Sequence, residues 1–141
     1  MMMYDERTGK DLKDIPVLEE PLLRIYIMHN TAGKIKIGMT KNIYQRYQSL
    51  CGSNSAGDNI DRVLCSPSTY LYSIEITMHN KFDRYRIPNT EWFYDKKDPS
   101  GERLYKEACN YLHSLFSSAS YKLCNETRKR YILKDMEKKD T

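Results

Sequence analysis

Tyr26, Lys36 and Arg46 stand at equal intervals of ten residues, and Glu75 and His79 follow four apart. Together they offer a phenol, an ammonium, a guanidinium, a carboxylate and an imidazole. A guanidinium forks onto a phosphate through paired donors, and an ammonium meets the same group as a point charge. Imidazole and phenol can hold or move a proton, and a carboxylate can do that or take a hard cation. Each residue also has an ordinary reading. Arg46 reads equally as a solvated helical cation, Tyr26 as a half-buried strand residue and Glu75 as an exposed helical acid. His79 fits a core or capping role.

These side chains need elements to position them. Leu22 to Met28 is rich in β-branched and aromatic residues and reads as a strand. A turn with Asn30 and Gly33 follows, and Ile35 to Met39 is the return strand of a hairpin. Gly38 inside that strand marks a close backbone approach. Thr40 is the expected cap of a helix whose buried stripe is Ile43, Tyr44, Tyr47 and Leu50, with Arg46 off the stripe. Cys51 to Asn59 reads as a loop, and Asp61 to Cys65 as a short strand. Pro67, Ser68 and Thr69 read as the start of a second helix with Leu71, Ile74, Met78 and Phe82 on its buried face. Glu75 and His79 lie on a neighbouring face. Glu91 to Tyr94 is a last short strand, Pro99 to Gly101 a turn, and Leu104 to Phe116 an amphipathic helix that the serine-rich residues 117–120 interrupt. The expected fold is α+β: a small, about three-stranded, mainly antiparallel sheet flanked by helices. Residues 1–20 form a polar, loosely ordered leader, 21–120 the domain, and 121–141 a basic C-terminal helix or tail.

At these residues the chain resembles the GIY-YIG nuclease superfamily. Arg24-Ile25-Tyr26 stands for the first motif, with Arg for the usual Gly, and Lys36-Ile37-Gly38 for the second, with Lys for the usual first Tyr. Lys at that place is similar to a phage and mobile-element branch that also carries E-x-x-x-H, a Phe, and E-W-F. Here these are Glu75 to His79, Phe82, and Glu91-Trp92-Phe93. The resemblance covers about residues 22–116 and implies a metal-dependent endonuclease that hydrolyses DNA phosphodiesters, leaving a 5′-phosphate and a 3′-hydroxyl. It assigns Glu75 to a divalent ion, Mg²⁺ or Mn²⁺, and catalytic roles to Tyr26, Lys36, Arg46 and His79. Such a cut needs an activated water, neutralisation of the phosphate and help for the leaving oxygen. Residues 21–74 hold only Asp58 and Asp61 as acids. A one-metal site is therefore more economical than the carboxylate set of a two-metal centre. Glu91 is expected to close the domain by pairing with Arg84 or Arg86, leaving Glu75 as the ligand. Two departures thin the proton-transfer set: Met39 replaces a Lys or His, and Leu50 replaces a Tyr, with Tyr47 nearby. A catalytically weak or inactive nucleic-acid-binding module on the same fold is the alternative.

The charge distribution suits a polyanionic partner or a solvated basic face without one, and charge alone slightly favours the second, because pI 8.8 is short of the strongly basic range. Net charge is +4, and residues 21–57 carry five bases and no acid. Arg24, Lys34 and Lys41 from this run, with Arg128, Lys129 and Arg130 from the tail, are the expected nucleic-acid contacts. DNA is the expected partner, RNA stays open beside it, and a homodimer through the tyrosine-rich C-terminal helix is a third expectation. No stretch approaches the ~20 apolar residues of a membrane span, and no secretory signal is visible. Cys51, Cys65, Cys109 and Cys124 form no C-x-x-C pair and read as reduced thiols, which places the protein inside a cell.

Overall fold

The computed structural model describes residues 9–18, 22–53, 60–69 and 72–117. The basic tail with Arg128, Lys129 and Arg130, the serine-rich break, Leu71 and Cys124 lie outside the described residues.

Four strands form one antiparallel sheet. They are β1 (Arg24–Asn30), β2 (Ile35–Thr40), β3 (Ile60–Cys65) and the two-residue β4 (Trp92–Phe93), in the order β3-β1-β2-β4. Both long expected strands are present, and β4 raises the sheet from three strands to four. The α-helices among the described residues are α1 (Ile43–Ser53), α2 (Ser73–Lys81) and α3 (Glu102–Ser117). No helix among the described residues is long and apolar enough to cross a membrane.

Strand alternation assigns two cores. Ile25, Ile27, Ile35 and Ile37 face one side of the sheet and pack with Ile74 and Met78 of α2 and Leu104, Ala108 and Leu112 of α3. Tyr26, Met28, Val63 and Cys65 face the other side and pack with Ile43 and Leu50 of α1. The expected polar leader contributes to this second core: Asp11 caps a 3-10 turn over Leu12–Asp14, and Leu12 is fully buried.

The β1–β2 turn is fixed by Asn30, whose Oδ1 accepts the N–H groups of Ala32 at 3.1 Å and Lys34 at 2.9 Å. Gly33 adopts φ +83° there and packs backbone to backbone on Pro99 and Gly101 at the entry to α3. A Cβ on Gly33 would overlap the Pro99 carbonyl.

Two helix starts differ from the sequence expectation. Asn42, not Thr40, caps α1: its Oδ1 accepts the Gln45 N–H at 3.1 Å. Thr40 Oγ1 instead accepts the Asn42 N–H at 3.1 Å, shaping the turn before the cap. Pro67 to Thr69 do not begin α2. Thr69 is buried and bridges Leu23, its N–H donating to the Leu23 carbonyl at 2.9 Å, and the helix starts at Ser73. The Pro-Ser-Thr signal is outweighed by extended backbone pairing with a residue distant in sequence. Cys51, Cys65 and Cys109 are thiols rather than halves of disulfides.

Candidate active site

Tyr26 lies in the middle of β1, directly opposite Gly38 of β2. The ring is only 1 % exposed and occupies the space a side chain at position 38 would fill. An ideal Cβ on Gly38 would stand 2.6 Å from Tyr26 Cζ. Gly38 is thus the close approach its place in a strand pattern implied. Burial pushes the Tyr26 phenol well above its ordinary range; Arg46 opposes this, while Glu91 and Glu75 add to it.

Lys36 pairs across the sheet with Trp92 of β4. Its side chain is 13 % exposed, with Nζ 5.4 Å from the Trp92 ring centroid and 3.4 Å from Glu91 Oε2. Arg46 is exposed on α1, and its guanidinium makes no ion pair among the described residues. It acts electrostatically on both Tyr26 and Glu75.

Glu75 sits in the first turn of α2 with its side chain 22 % exposed. Its carboxyl titrates above the usual carboxylate range, first because burial disfavours the anion and next because Glu91 adds negative charge. His79, Lys36 and Arg46 pull it back. One turn on, His79 Nε2 donates to the Ile37 carbonyl at 2.8 Å and lies 3.8 Å from Glu75 Oε1. A carbonyl only accepts, so Nε2 carries the hydrogen. His79 therefore ties α2 to the middle of the Lys36-Ile37-Gly38 motif, and its ring packs on Phe93 at 5.6 Å between centroids.

The fold thus brings Tyr26, Lys36, Arg46, Glu75 and His79 to one region, from β1, β2, α1 and α2. It adds Glu91. The sequence expectation pairs Glu91 with Arg84 or Arg86; instead it meets Lys36, while Arg86 Nε faces Asp83 at 3.3 Å and Arg84 stacks on Tyr85. The usable signal is the strand itself: once Trp92 is opposite Lys36, the residue before it falls beside the lysine. Met39 packs against the main core and Leu50 lies in the second. Tyr47 packs beside Leu50, its hydroxyl pushed up to about 12 by burial and by Cys51.

Of the expected nucleic-acid contacts, Arg24, Lys34 and Lys41 lie among the described residues. Arg24 is half-buried, with Nη1 3.4 Å from the Ser66 carbonyl it donates to. Arg24 and Lys41 lie near one end of the hairpin, and Lys34 is in the turn at the other. At ~3.3 Å per residue these ends are about 20 Å apart. The acid-free run therefore spreads its cations along the whole length of the hairpin.

Among the described residues no group of three or more His, Cys, Asp or Glu could hold a metal ion. Protein ligands alone would therefore not enclose a cation here. The donor set that is present, Glu75 with Glu91 near it, suits Mg²⁺ or Mn²⁺, because such ions keep several waters and take one or two carboxylates plus substrate phosphates. The mutual repulsion of the two acids, one cause of the raised Glu75 pKa, is what a bound cation would relieve.

No curated protein and no solved structure matches the chain. A family model for the T5orf172 domain matches residues 24–101, from the first residue of β1 to the turn before α3, and so takes in every residue of the region just described. That span is more than half of the chain. The chain belongs to the T5orf172 domain family, a nuclease-like family of phages and mobile elements.

Proposed function

We propose that the protein is a metal-dependent endonuclease that hydrolyses DNA phosphodiesters through a single-metal site of the GIY-YIG type. The observation that carries this reading is the convergence of an exposed guanidinium, a held ammonium, a buried phenol and a partly buried carboxylate from four separate elements. Such a combination has little structural purpose of its own: it holds the Glu75 carboxylate at a cost, beside a second acid and away from water.

Arg46 forks onto the non-bridging oxygens of the scissile phosphate and stabilises the charge that grows on them. Lys36 is aimed by Glu91 and by the Trp92 face and donates to the phosphate or to the attacking water. Burial makes a Tyr26 phenolate costly, so Tyr26 acts as a neutral phenol that orients the water rather than as the base that ionises it. Glu75 holds Mg²⁺ or Mn²⁺, which when bound supplies positive charge at the phosphate and lowers the pKa of water. His79 is a positioning residue: its bond to the Ile37 carbonyl sets α2, and with it Glu75, against β2.

A second reading is favoured by two placements. Met39 is packed into the core and His79 Nε2 is spent on backbone, so the set of groups that can pass a proton is thin. On that reading the protein is a slow or inactive nucleic-acid-binding module. Nicking of supercoiled plasmid separates the two. Cleavage that needs Mg²⁺, stops in EDTA and is lost in Arg46→Ala supports the nuclease; DNA binding without cleavage at any Mg²⁺ or Mn²⁺ concentration supports the module.

A further inference from the structure

On the opposite side of β4 from Lys36 is a groove of about 920 Å³. It is bounded by the 84–88 turn, the 94–97 segment and the start of α3. We infer that this groove is a second nucleic-acid contact, which binds the phosphate backbone of duplex DNA away from the bond that is cut. The inference rests on DNA being the partner, as in the proposed function.

Its charge is the first argument. Five cations line it, against the acids Asp95 and Glu107. Two of the cations are already matched: Arg86 Nε faces Asp83 at 3.3 Å, and Arg103 Nη2 faces Asp95 at 3.5 Å. Asp95 is spent further, accepting the Lys97 backbone N–H at 2.9 Å. Arg84, Lys96 and Lys97 remain exposed, and none makes an ion pair among the described residues. Arg84 is stacked on Tyr85 with Cζ 4.6 Å from the centroid, which leaves its N–H edge free for a planar bidentate contact. Glu107 alone is left to oppose three free cations.

Rigidity is the second argument. Tyr94 N–H donates to the Tyr85 carbonyl at 2.8 Å and Ile87 N–H to the Trp92 carbonyl at 2.9 Å, so the two segments that carry the free cations are laddered together. Little backbone ordering therefore remains to be met on binding. The third argument is position. Successive residues of β4 point to opposite faces, so Trp92 supports Lys36 on one side and Phe93 supports Arg86 on the other. β4 pairs with β2 on its inner side and lies at the end of the strand order. A phosphate backbone passing over this edge meets the candidate site on one side and the groove on the other.

The test is fluorescence polarisation with a labelled short duplex in EDTA, so that no cleavage intrudes, over about 50–200 mM salt. Arg84→Ala/Lys96→Ala/Lys97→Ala removes exposed side chains only, and circular dichroism checks that the fold is kept. The triple variant should bind at least tenfold more weakly at the low-salt end. Its log–log salt slope should be shallower by about 2–3, at roughly 0.9 for each phosphate that the protein no longer neutralises. Glu107→Lys should tighten binding and steepen the slope. An unchanged slope in the triple variant, or a wild-type protein that does not bind duplex at low salt, overturns the inference. The nuclease reading fails separately, through the absence of metal-dependent nicking by a protein whose salt slope responds as expected.

Discussion

Gly38→Ala tests whether the fit between the two strands of the hairpin sets the position of the phenol. The new Cβ would stand 2.6 Å from Tyr26 Cζ and 2.9 Å from Cε2. Ordinary contact begins near 3.4 Å, so the ring must retreat by roughly 0.8 Å. It cannot do so freely, because it is fully buried between β2 and the second core, with Cys65 opposite it on β3. Overpacking of this kind costs about 1–3 kcal/mol. Against it stands a gain of about 0.5–1 kcal/mol from replacing a strand glycine by alanine. Overpacking wins, with a net loss of about 1–2 kcal/mol. At about 4 °C per kcal/mol for a domain of this size, Tm should fall by about 4–8 °C. A displacement near 1 Å at a reacting centre costs about 100-fold in rate, so cleavage should fall far more than stability does. Thermal unfolding followed by circular dichroism, in a double-mutant cycle with Tyr26→Leu, isolates the cause. Leucine lacks the atoms in conflict, so in that background Gly38→Ala should cost nothing or stabilise slightly. A Gly38→Ala protein as stable as wild type, or an equal loss in both backgrounds, would refute the reasoning.

The other predictions concern the charges and the helix that carries Arg46. Because the folded Glu75 carboxyl titrates above its unfolded value, stability is lost as pH rises from the ordinary carboxylate range through the raised folded value. Glu75→Gln should therefore be more stable than wild type at neutral pH, and the two should converge in acid, where the carboxyl is protonated in both the folded and unfolded states. A variant that melts lower at neutral pH would show that Glu75 is stabilised where it sits; the same substitution should abolish Mg²⁺-dependent nicking. Glu91→Gln removes the second-largest cause of that shift, so the pH window of the Glu75 effect should move down. The same substitution also removes the partner of the largely buried Lys36 ammonium and should lower stability, both effects being readable from melting curves across pH. Asn42→Ala deletes the α1 cap and should cost about 1 kcal/mol in urea unfolding, whereas Thr40→Ala should leave the cap bond to Gln45 in place and cost less.

The hairpin, α3 and the short strand β4 are legible in the sequence because each is announced locally. The run Leu22 to Met28 has the residues of a strand, Asn30 and Gly33 have the chemistry of the turn, and the apolar positions of α3 recur at helical spacing. Local pattern misleads where a distant partner decides the outcome. Thr69 has the look of a helix start, but Leu23 takes its backbone. Glu91 looks like a surface acid near two arginines, but the pairing of β4 with β2 delivers it to Lys36. The basic run is legible as charge, but only the hairpin register shows that its cations are spread along both ends of the strands. The groove beside β4 gathers Arg84, Arg86, Lys96, Lys97 and Arg103, cations that are interspersed with acids in sequence and brought to one place only by folding.

The ten-residue spacing carries meaning only through the register that converts it into geometry. Tyr26 faces Gly38 and Met28 faces Lys36, so Tyr26 and Lys36 fall on the same face of the sheet, two residue pairs apart along the hairpin. The turn that holds this register is itself locked from outside, by Gly33 against Pro99 and Gly101 and by His29, whose Nε2 donates to the Ser100 carbonyl at 2.7 Å and whose Nδ1 meets Asp61. A slip of one residue would carry Lys36 into the core of Ile25, Ile27 and Leu64 and bring Ile35 or Ile37 out beside Tyr26. Burying an unpaired ammonium there costs several kcal/mol, a large fraction of the stability of a domain this size. Only one register, then, gives both a folded protein and an assembled site. The site thus owes its precision less to its own contacts than to the apolar residues that alternate with it, and substitutions at Ile35 or Ile37 should disturb cleavage as surely as those at Lys36.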